Sequence, residues 1–141
     1  MASASPAVNF RDMINKPERG LITTGWLATA AKLPPNPDQI IFVRDTGGPA
    51  SESGVGINYP TIQVIVRGPK TNNSYDVAYN KAAAVRDAFL AVPSTEWVEL
   101  TAVNMLGDLL DLGHDDNERA RVAVNFRLIV TPINSGHREL Y

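Results

Sequence analysis

Two hydrophobic spacings take turns along this chain. A period of two runs through residues 61–67, where Ile62, Val64 and Val66 fall on one side and Thr61, Gln63, Ile65 and Arg67 on the other. That is the pattern of a strand with one core face and one half-polar face. It returns near the C-terminus, where Val122, Val124, Phe126, Leu128 and Val130 alternate with Arg121, Ala123, Asn125 and Arg127. A long strand, antiparallel to a neighbour, is predicted there.

Steps of three and four appear in Ala78, Ala82, Val85, Phe89 and Val92, with Asn73 or Ser74 available as a cap, Asp76 in the first turn and Pro93 beyond the end. These predict one long helix over 75–91 with a single apolar stripe. A shorter helix over 6–16 is predicted by Ser5-Pro6 followed by Val8, Phe10, Met13 and Ile14, with Pro17 ending it. The compact run 40–44, halted by Asp45-Thr46-Gly47-Gly48-Pro49, reads as a strand, and 97–105 is strand-like again. Between 20 and 38, Trp26, an Ala-rich piece and three prolines fit a short strand or turn followed by an extended connection.

The order is then helix, strand, strand, long helix, strand, strand. It predicts an α+β fold: a mostly antiparallel sheet with the long helix packed across its apolar face and a short N-terminal helix. The expectation is one domain over 1–141, with 1–5 and 133–141 as tails.

Composition narrows the chemistry. Thirteen basic against fifteen acidic residues leave a net charge of −2, which does not support a broad nucleic-acid footprint. The absence of cysteine removes disulfides, thiolate zinc sites and cysteine nucleophiles. The first ten residues lack the features of a signal peptide, and no apolar run approaches the roughly 18 residues of a membrane helix. A protein made in the cytoplasm with no membrane partner is expected.

The glycine-rich stretch 47–58 raises the question of a phosphate loop. It holds no lysine or arginine and leads into a strand, so neither a P-loop nor a dinucleotide fingerprint fits. Ser51 and Ser53 lie outside any Gly-x-Ser-x-Gly, and the histidines are His114 and His137, so no serine nucleophile with a positioned base is legible. Asp108, Asp111, His114, Asp115, Asp116 and Glu118 offer donors for a divalent cation, but their spacing matches no EF-hand loop. A solvated hairpin connection explains them better, with a charged contact to another subunit as the next reading. Arg67, Arg121 and Arg127, read as members of half-polar strand faces, fit ion pairs on an exposed or subunit-facing sheet. The aromatic residues fit core or interface anchors. No catalytic constellation emerges, so neither an enzyme nor a cofactor is expected.

The segments "LPPNPDQIIFVRDTGG", "YPTIQVIVRG", "YDVAYNKAAAVRDAFL" and "RARVAVNFRLIVTP", in this order, resemble the tail terminator proteins of long-tailed bacteriophages, also called minor capsid proteins. The resemblance runs from about Leu33 to Pro132. It implies a virion structural protein of the tail and neck, assembled in the host cytoplasm. In that picture a homo-oligomeric ring, a hexamer, caps the tail tube, stops polymerisation of the tube protein and presents a joining surface to a head-completion or stopper protein. Its lumen would pass DNA or tape-measure protein. The alternatives are another neck or head-completion protein and, in a different class, a small metal-dependent α+β enzyme using 108–118. The family has no catalytic residues to transfer, so the expected partner-binding positions are surface ones: Gly47, Gly48, Pro49, Ser51, Glu52, Ser53, Gly54, Arg67, Asp111, His114, Asp115, Asp116, Arg121 and Arg127.

A pliable loop that orders against a partner trades chain entropy for added contact. Deleting residues 50–56 is therefore expected to leave the subunit folded by circular dichroism while weakening ring or connector assembly in a sedimentation assay. Unchanged assembly would make the loop a passive linker.

Overall fold

The computed structural model describes residues 5–30, 32–48, 57–90, 97 and 99–131. Helix α1 (Pro6–Ile14) begins as its sequence requires: the Ser5 hydroxyl accepts from the Val8 amide at 3.2 Å and Pro6 sits in the first turn. Asp45 adds a second anchor, its carboxylate accepting from the Ala7 amide at 2.9 Å. A single 3₁₀ turn, Pro17–Arg19, follows. The strands are β1 (Trp26–Ala30), β2 (Gln39–Gly47), β3 (Thr61–Arg67), β4 (Leu100–Met105), β5 (Leu110–His114) and β6 (Ala120–Val130), and the long helix α2 is Ser74–Leu90.

These strands form one α+β sheet in the order β1-β2-β3-β6-β4, with β5 also beside β6. All pairings are antiparallel except β1 with β2. The β3–β6 ladder runs without a slip from Thr61 opposite Arg127 to Arg67 opposite Arg121. On the other side of β6, Met105 faces Phe126 and Leu110 faces Ala123. Residues 106–109 are therefore opposed by only two residues of β6, and this edge is kinked between β4 and β5.

Three sequence expectations are corrected. The run predicted to stop at Arg44 continues to Gly47, because a bulge between Asp45 and Gly47, with Gly47 at φ 94°, absorbs the turn residues into the strand. The acidic stretch expected as a solvated connection is half strand. Leu110 and Leu112 flank Asp111 at a period of two and satisfy the β6 edge at 120–123, leaving only 115–119 to turn. Arg67, placed by alternation on a half-polar face, is 3% exposed, for reasons given with the site below.

Both helices lie on one face of the sheet. Ile41, Val43, Ile62, Val64, Val66, Val122, Val124, Phe126 and Leu128 join the α1 and α2 side chains there in a single buried cluster. Phe10 links its layers, with its ring centroid 4.3 Å from that of Phe89 on α2 and 5.5 Å from that of Phe126 on β6. The opposite face carries no helix among the described residues. Ile40, Phe42 and Ala123 are nevertheless buried on it, Ile65 and Ile129 are half-buried, and Leu27 and Leu110 are exposed.

The start of α2 is stitched to the start of β6. The Ser74 hydroxyl accepts from the Ala120 amide at 2.9 Å, and the Gly68 amide donates to the Ala120 carbonyl at 2.9 Å. No side chain fits at Gly68, where a Cβ would run into the Ser74 carbonyl oxygen and lie 2.8 Å from its hydroxyl. Gly68→Ala is expected to destabilise the fold by about 1–3 kcal/mol, the usual cost of overpacking, as a lowered midpoint in urea. A wild-type midpoint would show that this junction yields.

Candidate functional site

Adjacent parallel strands require the chain to travel back along the first before it can start the second. Here only residues 31–38 do so. Five residues of strand span roughly 17 Å at about 3.3 Å per residue, more than a helix of this length could cover. Pro34, Pro35 and Pro37 also oppose helix, the chain bends at Pro35, Pro37 and Asp38, and the Asn36–Pro37 bond is cis. Irregular proline-rich backbone makes few hydrogen bonds with itself and leaves its carbonyls in need of donors.

Two buried arginines provide them. From the end of β3, Arg67 donates through Nε to the Asp38 carbonyl at 2.8 Å, and through Nη2 to the carbonyls of Pro37 at 2.7 Å, Pro34 at 2.9 Å and Pro35 at 3.3 Å. Arg119, 5% exposed, donates through Nη1 to the Pro35 carbonyl at 2.7 Å and to Asp38 Oδ1 at 3.1 Å. Its Nε donates to Asp115 Oδ2 at 2.9 Å. The other Asp115 oxygen closes the β5–β6 turn, accepting from the amides of Asn117 at 2.9 Å and Arg119 at 3.0 Å. Glu118 takes the left-handed φ of 62° within that turn.

The electrostatics follow from this packing. Burial, reinforced by the nearby Arg119 charge and partly offset by Asp115 and Asp38, lowers the Arg67 pKa. A guanidinium remains protonated even so. Burial alone would raise the Asp115 carboxyl, but the amides of Arg119 and Asn117 and the Arg119 guanidinium outweigh it and hold the group below its ordinary value. Beside this clamp, Lys70, Thr71, Asn72, His114 and Glu118 line an open polar groove of about 400 Å³.

The positions singled out from sequence divide between the two ends of the sheet. At the end with the β5–β6 turn, Arg121 lies opposite both Arg67 and Gly113, His114 is exposed opposite Ala120, and Asp115 and Asp116 form the turn. Asp111 is exposed on β5, opposite Val122. Arg121 is half-buried, donating to the Leu112 carbonyl at 3.3 Å. At the far end Gly47, Thr61 and the exposed Arg127 share one cross-strand row. Gly48, at φ 110°, packs so closely on the Tyr59 carbonyl that a side chain has no room. Pro49, Ser51, Glu52, Ser53 and Gly54 lie outside the described residues, as do most of the two expected tails.

Arg67 does not belong with the surface positions, since the 34–38 segment folds over it and takes up its donors. Arg119 is not among the positions that the sequence marks out. Its signal is local, an arginine four residues after the turn aspartate, but the residues it holds are more than 80 positions away. Among the described residues no group of three or more metal-ligating side chains is gathered in one place, the 108–118 acids included. No helix there is long and apolar enough to cross a membrane. The arrangement is suited to shaping and holding a surface.

Comparison with known proteins places this architecture. A family model described as bacteriophage tail terminator protein matches residues 17–132, most of the chain, and the chain belongs to that family. It is thereby a structural component of the phage tail. No curated protein matches its sequence.

The depressed Asp115 carboxyl makes a signed prediction. A group whose folded pKa lies below its unfolded value of about 3.8 contributes stability that is complete above that value and is lost as pH falls through the folded pKa. Wild type should melt above Asp115→Asn by a constant margin from pH 7 to 5, and the margin should narrow below pH 3.8. A margin unchanged down to pH 2 would show that the charge of Asp115 contributes nothing.

Proposed function

We propose that the subunit assembles into a six-membered ring on the end of the tail tube, stops tube polymerisation there, and offers its other face to a head-completion protein, so that the head joins at the neck. The observation that carries this reading is the tail-terminator match over residues 17–132. The fold supports it in kind. A sheet with helices on one face only, and with Leu27, Leu106 and Leu110 left exposed, suits a protein that works by being covered by neighbours. The ring lumen is the path for DNA or tape-measure protein in this reading. Ring formation requires no cofactor.

Removal of the gene from its phage tests the assignment directly. Electron microscopy of the lysates is expected to show tubes of uncontrolled length and unattached heads. Tails of normal length joined to heads would overturn it.

A further inference from the structure

The two edges of the sheet differ in charge. Strand β1 forms one edge, with α1 packed on β1 and β2. Along residues 5–32, which build this side, Arg11, Lys16, Arg19 and Lys32 stand against Asp12 and Glu18. Strands β4 and β5 form the other edge. Over residues 99–119 that side carries Glu99, Asp108, Asp111, Asp115, Asp116 and Glu118, and its one basic side chain apart from His114 is the buried, internally paired Arg119.

Each edge also shows apolar surface where a lone subunit gains nothing from it. Leu27 on β1 is 40% exposed and Leu33 just beyond it 37%, while Leu106 and Leu110 on the kinked edge are 50% and 47% exposed. Leu27 pairs with Ile40 and Leu110 with Ala123, which places both on the helix-free face. The β1 sequence, Trp-Leu-Ala-Thr-Ala, has none of the charges or prolines by which sheet edges are normally guarded.

We infer that the occupant of each edge is a second copy of this chain: the acidic β4–β5 edge of one subunit docks on the basic β1 edge of the next, and the exposed leucines are covered between them. The contact joins two different surfaces, so it repeats head to tail instead of stopping at a two-fold dimer, as each junction of a closed ring must. Opposite charge sets which edge meets which, and the leucines supply the apolar contact. This contact rests on the ring reading above and specifies which surfaces build it.

The test reverses charges at exposed positions on each edge, with assembly followed by sedimentation velocity alone and with purified tail-tube protein. Asp111→Lys/Asp116→Lys/Glu118→Lys turns the 99–119 side from net −5 to +1 and leaves both edges basic, and Lys16→Glu/Lys32→Glu turns the 5–32 side from +2 to −2 and leaves both acidic. Each variant alone is expected to need about tenfold or more higher concentration for half-assembly. An equimolar mixture of the two is expected to regain wild-type assembly, because every junction is again opposite in sign, and misfolding cannot produce that rescue. If wild type assembles while neither variant is weakened, or if both are weakened and the mixture is not rescued, the edge contact is overturned and the ring stands. If wild type stays monomeric even with tube protein, the ring and its edge contact both fall.

Discussion

Strand β6 is hydrogen-bonded along both of its sides, and the rest of the subunit is arranged around that constraint. One side takes the whole of β3, with an additional bridge from Asn58 to Val130, and the other takes β4 and β5 in succession. A fully paired central strand leaves hydrogen-bonding capacity only at the margins of the sheet. Its alternate side chains fill the cluster beneath the helices, and α2 begins where its first amide meets Ser74. The eleven residues of β6 are thus at once the middle of the sheet, the floor of the core and the anchor of the long helix.

The arginine pair solves a second problem, created by the parallel strand at the margin. A short link between parallel neighbours has no room for a helix, and such irregular backbone has polar groups with no partners of their own. Two guanidiniums brought from β3 and from the start of β6 meet them, with the Asp115 and Asp38 carboxylates placed to balance the buried charge. Three stretches distant in sequence are held at one end of the sheet by a few charge-assisted bonds.

The parts that were readable from sequence are those whose burial is one-sided. The period of two in β3 and β6 and the three-four spacing of α2 each report a single core face, and all three elements stand within a residue or two of their expected limits. Strand β5 escaped because an edge strand is half solvated, so Asp111 and Gly113 resemble a turn. The alternation put Arg67 on the correct face. What it lacked was the segment folded over that face, a long-range fact with no local trace. The partnership of Arg119 with Pro35 is hidden for the same reason. The family resemblance, by contrast, was legible because it depends on the order of several short strings and not on any single contact.

The Arg119 side chain grips the tip of the β5–β6 hairpin at Asp115 and, with the same guanidinium, the proline link that leads out of β1. The β5–β6 turn and the segment that leads out of the opposite margin are thereby tied to each other directly, by a contact that does not pass through the strands between them.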